Sequence, residues 1–229
     1  MELYLTMELQ NTQEDSVHIL WFPKALSQDQ IDHGCSNACT ITALLISLNW
    51  NDTNRRIDLS KGCIKYGTEI ATILRSSILR GNKIYKNSIS SSPKNVINFT
   101  IPESAELIGS EMKKMFEWQS GIFLLDLGDS LHESLTEGLS IWEGSKPHWK
   151  PMLFVVLTTK NNSVLLVYQE EPKVVILIDT CSHQDKGAVI ACVPQTELKA
   201  LCRWYHCLLR KYFLDQPAFY ELSFFYFKN

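Results

Sequence analysis

The fold of this chain depends on the stretch His33-Gly34-Cys35-Ser36-Asn37-Ala38-Cys39-Thr40-Ile41-Thr42-Ala43-Leu44-Leu45-Ile46-Ser47-Leu48. Small and polar residues give way at Cys39 to an apolar run with the spacing of a buried helix. The sequence therefore predicts a thiol at the start of a helix. There the unpaired backbone N–H groups and the helix dipole favour a thiolate, which is the nucleophilic form. The alternative is that Cys39 is a small buried hydrophobic residue under a core helix.

Length and composition indicate one packed domain that spans residues 1–229. The chain is 45% hydrophobic and contains six Trp and ten Phe, enough apolar side chains for one substantial core. Residues 1–16 are polar and poorly patterned, and we expect them to form a flexible arm. The net charge is −3 and the 22 basic residues are dispersed, so nucleic acid is not an expected partner.

The N-terminal residues predict a protein that stays inside the cell. Acidic residues interrupt the first apolar residues and no basic segment precedes them, unlike a secretory signal. No apolar run approaches the roughly 18 residues that a membrane span needs. We therefore expect a cytoplasmic or nuclear protein without a membrane partner.

The seven cysteines predict free thiols, because their number is odd and they lack the tight spacing of a disulfide framework. A zinc site is an alternative, with Cys35 and Cys39 joined by Cys202, His206 and Cys207. A second matched cysteine pair is missing, and residues 202–207 follow an apolar helical pattern. We therefore predict neither a metal nor a cofactor.

Helical patterns dominate the first half of the chain and strand patterns the second, which is the order of an α+β fold. We expect an N-terminal helical half packed on a C-terminal antiparallel β-sheet. Helices are predicted from Cys39 to about residue 49, and over 64–80, 102–118 and 195–213. Strands are predicted over 17–22, 121–127, 152–158, 163–168, 174–179, 187–194 and 219–227. Residues 87–100 are predicted to be a loop, and 128–150 irregular or partly helical.

Strand directions limit which candidate groups can meet. The strands 152–158, 163–168 and 174–179 alternate in direction, so His148 and Asp179 are expected at opposite ends of the sheet. His183 follows Asp179 after a turn of three residues. A catalytic thiol needs a base, and the base needs a group that orients it. The arrangement that this topology favours is Cys39 as nucleophile, His183 as base and Asp179 as the orienting acid.

Two segments resemble a group of papain-like ubiquitin-specific peptidases that includes herpesvirus large tegument proteins. Residues Ser36-Asn37-Ala38-Cys39-Thr40 are similar to the nucleophile segment of that group. Residues 176–183, Ile-Leu-Ile-Asp-Thr-Cys-Ser-His, with Gly187 downstream, are similar to its Asp-x-His stretch. The resemblance implies a papain-like fold, a cysteine peptidase activity and a ubiquitin-like substrate. It also implies an oxyanion donor near the nucleophile, for which Gln28, Gln30, Asn37 and the backbone N–H of Cys39 are candidates.

The chain departs from the pattern of this group at Cys181, where the catalytic histidine is expected. A thiol cannot replace an imidazole as proton relay, because its pKa and geometry do not suit that role. Either His183 takes the role through a shift of the turn, or His148 or His132 reaches the thiol, or the site is inactive. Simpler roles are a turn residue for Asp179, an exposed loop histidine for His183 and a helix cap for Asn37.

Two functions from different classes follow. The first is a thiol hydrolase that cleaves a peptide or isopeptide bond of ubiquitin or a ubiquitin-like protein. The second is a pseudo-peptidase that has lost its base and uses the groove for contacts with a protein partner.

Overall fold

An eight-stranded antiparallel sheet forms the centre of the chain in the computed structural model, which describes residues 9–31, 36–61, 63–91, 98–145, 152–160 and 162–228. The strand order is β1-β2-β7-β6-β5-β4-β8-β3, and every neighbouring pair is antiparallel. The strands are β1 (Gln10–Glu14), β2 (Val17–Pro23), β3 (Met115–Phe123), β4 (Met152–Thr158), β5 (Ser163–Gln169), β6 (Val174–Asp179), β7 (Lys186–Pro194) and β8 (Tyr220–Phe227).

In the described residues, five α-helices cover the two faces of this sheet. They are α1 (Cys39–Asp52), α2 (Gly67–Ser91), α3 (Ile101–Ile108), α4 (Leu127–Ser145) and α5 (Leu198–Phe213). The first three pack on one face and the last two on the other. The arrangement confirms the predicted α+β class, with helices packed on an antiparallel sheet.

The central strands are buried on both faces, which explains their nearly continuous apolar sequences. In β4, Phe154 belongs to the core under α1, while its neighbour Val155 belongs to the core under α4 and α5. Ile176 and Leu177 alternate in the same way in β6. The meander β4-β5-β6 therefore lies where the sequence predicts it, and it forms the middle of the sheet.

Helix α2 is longer than predicted, because Gly81 and Asn82 do not end it. A Cβ atom at Gly81 would lie 2.4 Å from the Oγ1 of Thr42 in α1, so the glycine allows the two helices to pack closely. The amide of Asn82 is buried and donates to the backbone carbonyls of Gln28 and Ile31. Gly81 thus allows α1 and α2 to pack, and Asn82 holds the segment before α1. Neither residue ends the helix, although both resemble a stop signal. Part of the predicted 87–100 loop is consequently helical.

The segment between α2 and β4 also differs from the prediction. Helix α3 begins with a capping box between Thr100 and Glu103 and ends at Gly109, whose φ is +94°. Strand β3 then pairs with β8. The predicted helix over 102–118 therefore ends earlier, at 108, and the strand predicted over 121–127 begins earlier, at 115. Helix α4 occupies most of the stretch expected to be irregular. Its buried residues recur at helical spacing, at Leu127, Leu131, Leu135, Leu139 and Trp142.

The predicted arm contains a strand, since β1 pairs with β2 at one edge of the sheet. All five residues of β1 are exposed, so neither burial nor hydrophobic alternation marks the strand in the sequence. No helix in the described segments is long and apolar enough to cross a membrane.

Several candidate site residues predicted from the sequence lie at one end of the sheet. The strand β6 ends there at Asp179, β5 begins there at Ser163, and β7 begins there at Lys186. Helix α1 begins at the same end, because the hydroxyl of Thr40 lies 3.0 Å from that of Ser163. We call this the thiol end of the sheet.

Candidate thiol site

Cys39 is the first residue of α1, as predicted, and it is buried. Burial raises the pKa of its thiol, and hydrogen bonds with Ser163 and Thr40 only partly offset that effect. The shift is opposite to the one expected for a helix N-terminus, because desolvation of the thiolate outweighs the helix dipole here. Cys39 is therefore a protonated thiol near neutral pH and needs a base to become a nucleophile.

Asp179 ends β6 with a carboxylate that is fully buried but hydrogen-bonded on both oxygens. Its Oδ1 accepts the backbone N–H of Cys181 at 2.9 Å, and its Oδ2 accepts the side-chain amide of Asn162 at 3.3 Å. The Nε2 atom of His183 lies 3.5 Å from Oδ2. Burial alone would raise the pKa of Asp179, but the interactions with His183 and Cys181 outweigh burial and lower it. The carboxylate is therefore ionised.

His183 is buried and holds the turn between β6 and β7. Its Nδ1 lies 3.0 Å from the carbonyl oxygen of Gly187; since a carbonyl only accepts, Nδ1 carries a proton and donates. Burial acts to lower the pKa of His183, but Asp179 and the Gly187 carbonyl raise it overall. The exposed loop histidine considered as an alternative is thus wrong. His183 forms a buried ion pair with Asp179.

Aromatic rings enclose His183 on the remaining sides. The ring centroids of Trp21, Tyr212 and Phe213 lie 5.2 to 5.4 Å from that of His183, all with edge-on geometry. The contacts described for His183 are those with Asp179, Gly187 and these rings, together with the backbone of Lys186 and Cys181. Cys39 is not among them, so the structure pairs His183 with the acid of the predicted triad but does not bring it into contact with the nucleophile.

Cys181 lies next to Asp179 at the thiol end of the sheet, where its backbone N–H donates to the carboxylate. Its thiol donates to the side-chain oxygen of Asn162 at 3.3 Å. Burial raises the pKa of the Cys181 thiol well above its usual range, and the negative charges of Asp179 and an ionised Cys39 raise it further. A protonated thiol cannot accept the proton of Cys39, so the residue at this place is no base.

Asn162 is a site residue that sequence reasoning missed. Its amide links Asp179 to Cys181, donating to the first and accepting from the second. The sequence shows Asn162 only as part of a polar turn between β4 and β5. The partners of Asn162 lie at the end of β6, and the sequence of the turn alone does not show that this end is adjacent.

The candidate oxyanion donors are separated in the structure. Gln28 is buried at the thiol end, where the hydroxyl of Thr180 donates to its side-chain oxygen at 3.0 Å. Gln30 is exposed and donates to Asp29, while the amide of Asn37 donates to the hydroxyl of Tyr85 at 3.5 Å. Of the three side chains, Gln28 lies in the wall of the cavity beside Cys181.

That cavity has a volume of about 320 Å³ and opens beside the thiol site. We call it the Cys181 cavity. Its wall combines two carboxylates, three polar side chains and two apolar ones with the thiol itself: Gln28, Asp29, Asn162, Cys181, Ser182, Leu209, Phe213 and Asp215. Its size is at the lower limit of ligand pockets, which suits a single long side chain or a short extended tail.

The remaining candidates lie elsewhere. His132 is on α4, on the face of the sheet opposite α1, so it does not reach Cys39. Cys202 and Cys207 are on α5, which packs on the same face as α4, and this separates them from Cys39 as zinc ligands. His148 and Cys35 lie outside the described residues. Within the part of the chain that the structure describes, no group of three or more His, Cys, Asp and Glu side chains could hold a metal ion.

The buried ion pair predicts a pH window of maximal stability. Because the pKa of His183 is raised on folding, its contribution is complete below about pH 6.5 and is lost as the pH rises through the folded-state value. Because the pKa of Asp179 is lowered, its contribution is present above about pH 4 and is lost as the pH falls further. We expect the free energy of unfolding, measured in urea, to be higher at pH 5.5 than at pH 8.

The variant His183→Gln tests this prediction, and His132→Gln is its matched control. In His183→Gln the free energy of unfolding should differ little between pH 5.5 and pH 8, whereas in His132→Gln it should fall as it does in wild type. An equal slope in wild type and His183→Gln would show that another group causes the pH dependence.

Comparison with solved structures identifies the fold but no family, since neither a family model nor a curated protein sequence matches the chain. One similar structure is the ubiquitin-specific protease encoded by the tegument protein M48 of murine cytomegalovirus, in complex with a ubiquitin-based suicide substrate. It has a TM-score of 0.51 and 11% sequence identity over 90% of this chain and 85% of that one. The Pseudomonas avirulence protein AvrPphB is also similar, with a TM-score of 0.45 and 11% identity over 83% of this chain and 92% of that one. The likeness to the tegument protease, over 90% of this chain, shows that the chain has the papain-like fold of cysteine peptidases.

Proposed function

We propose that this chain is a papain-like module that binds a ubiquitin-like protein at its thiol end and does not cleave it. The observation that supports the proposal is the thiol of Cys181, next to Asp179, at the sequence position where the resemblance to ubiquitin-specific peptidases implies the base. The pKa of that thiol is raised by burial and by neighbouring negative charge, so it holds its proton near neutral pH. Without a base, the buried thiol of Cys39 stays in its unreactive form.

The environment of His183 supports the same proposal. One of its ring nitrogens donates to Gly187 and the other faces Asp179, and three aromatic rings pack around it. An imidazole that relays protons must exchange one of those partners for the nucleophile. Here Nδ1 would have to leave the carbonyl of Gly187 while Nε2 stayed with Asp179, and three rings pack around the imidazole, so the arrangement favours a structural histidine.

Ubiquitin or a ubiquitin-like protein is the partner that the fold suggests. The tegument protease with the same fold carries a ubiquitin-based suicide substrate. The Cys181 cavity, at the thiol end of the sheet, has a suitable size for the tail of such a protein.

A thiol hydrolase is the second candidate, favoured by the position of Cys39 at the head of α1 and of Asp179 at the same end of the sheet. In that case Cys39 gives its proton to a base and attacks the amide carbonyl. The amine leaves with that proton, and water then hydrolyses the thioester. The base would be His183, after its Nδ1 leaves the carbonyl of Gly187, or His148.

Two measurements with ubiquitin decide between the candidates. We expect wild-type chain to bind ubiquitin in calorimetry, and to release a fluorophore from a ubiquitin conjugate no faster than the Cys39→Ala variant. Release that Cys39→Ala abolishes would overturn the proposal in favour of the hydrolase, and the variants His183→Ala and His148→Ala would then identify the base. Absence of ubiquitin binding would overturn the proposed partner.

A further inference from the structure

Strand β1 is an open edge of the sheet. It is the first strand in the sheet order and pairs with β2 on one side, and within the described residues no strand covers its other side. Such an edge presents a row of backbone N–H and C=O groups with which another strand can pair. The sequence of β1, Gln-Asn-Thr-Gln-Glu, contains neither the proline nor the lysine that commonly prevents this pairing. The edge is therefore open to a further strand.

Helix α5 runs alongside the β1-β2 hairpin. At one end the hydroxyl of Ser16, in the turn of the hairpin, donates to the carboxylate of Glu197 at 3.0 Å. At the other end the ring centroid of Tyr212 lies 6.1 Å from that of Trp21 in β2. A groove of about 130 Å³ lies between the hairpin and the helix. We call it the lysine groove, and its lining includes Thr12, Glu14, Trp21, Lys186, Lys211 and Tyr212.

Two ammonium groups lie on the aromatic rings at one end of the lysine groove. The Nζ atom of Lys186 is 4.5 Å from the ring centroid of Trp21, and that of Lys211 is 4.9 Å from the ring centroid of Tyr212. The two rings contact each other edge-on, so both cations belong to one site. Among the ion pairs of the described residues, none includes either lysine. This end of the groove therefore suits a carboxylate.

The one charged side chain of β1 is Glu14, at the other end of the strand. Gln10 pairs with Trp21 and Glu14 with Val17, so the lysine end of the groove lies at Gln10, roughly 13 Å from Glu14 along the strand. Antiparallel pairing of β1 with β1 of a second copy about Thr12 would place Glu14 of that copy opposite Gln10. Opposite residues in an antiparallel pair point to the same face, which is the face of α5 here. Each copy would thus bring a carboxylate to the two lysines of the other.

We propose that β1 pairs with β1 of a second copy of this chain and that Glu14 of each copy enters the lysine groove of the other. The two β-sheets then continue into one another across a two-fold axis at Thr12, and the same residues of both copies form the interface. Five residues of strand pairing and two charged sites make a small interface, so we expect a dissociation constant in the micromolar range. This inference is independent of ubiquitin binding and of catalysis.

Sedimentation equilibrium of the full chain tests the interface. We expect a monomer–dimer equilibrium for wild type. The variant Glu14→Lys places a third ammonium group against Lys186 and Lys211, so it should dimerise at least about tenfold more weakly. Its matched control, Glu137→Lys, makes the same change of charge at an exposed position of α4 and should dimerise within about twofold of wild type.

A mixture of two variants tests the contact between Glu14 and the lysines. The variant Lys186→Glu with Lys211→Glu should also lose self-association, because Glu14 would then meet two carboxylates. Mixed with Glu14→Lys, it should form a heterodimer within about threefold of the wild-type affinity, since opposite charges meet again at both sites. Circular dichroism confirms that each variant is folded.

Three results would overturn the inference. The first is a wild-type chain that stays monomeric up to about 1 mM. The second is a dimer that Glu14→Lys weakens no more than Glu137→Lys does, which would place the interface elsewhere. The third is a mixture of the two folded variants that does not associate.

Discussion

The Cys181→His variant is expected to react with a ubiquitin C-terminal electrophile at Cys39 about a hundredfold faster than the wild-type chain, the lower range of what a positioned base contributes. The backbone N–H of Cys181 donates to Asp179, and the resemblance to ubiquitin-specific peptidases implies a catalytic histidine at position 181. An imidazole there could donate to the side-chain oxygen of Asn162, which now accepts from Cys181. Its other nitrogen would then be free to take the proton of Cys39. The adduct is located by mass spectrometry.

Two further variants make this gain of reactivity specific. Cys181→Gln introduces a side chain close in size to histidine that is not a base, so it should react with the electrophile as slowly as wild type. Cys39→Ala combined with Cys181→His should give no adduct, because the nucleophile is missing. Equal rates for Cys181→His and Cys181→Gln, both folded by circular dichroism, would show that position 181 is not the place of a base in this fold.

The elements that carry the thiol site could be predicted because their sequence signals are local. The change from polar to apolar residues at Cys39 marks the start of α1, and the turn residues after Thr158 and Gln169 mark the ends of two buried strands. The position of Asp179 could be predicted because it is the last residue of the third strand, β6. The alternation of these strands then places Asp179 and the start of β5 at one end of the sheet.

The contacts within the site could not be predicted, because they join residues that are distant in sequence. In the sequence Gly81 resembles a helix stop, and the close approach of Thr42 explains why a glycine lies inside α2. His183 lies in a polar stretch that favours an exposed loop. Its burial depends on Trp21 from β2 and on Tyr212 and Phe213 from α5, and no local pattern reports those rings.

Replacement of His183 by leucine is expected to lower the free energy of unfolding by about 3–5 kcal/mol, the usual cost of leaving one member of a buried ion pair unpaired. Both side chains of the pair are 0% exposed, so water cannot solvate the carboxylate of Asp179 once the imidazole is gone. Leucine fills most of the space between the aromatic rings, which limits the contribution of a cavity. Urea unfolding at pH 5.5, where the ion pair is complete, measures the change.

The double variant His183→Leu with Asp179→Asn shows how much of the loss in the free energy of unfolding comes from the unpaired charge of Asp179 and how much from the lost packing of His183. Asparagine keeps an oxygen that can accept the N–H of Cys181 but carries no charge, so the double variant should be more stable than His183→Leu alone. If the two substitutions are instead additive, the ion pair does not stabilise the fold. A stabilising pair assigns Asp179 to the structure of the turn, where its carboxylate holds the imidazole of His183 in place.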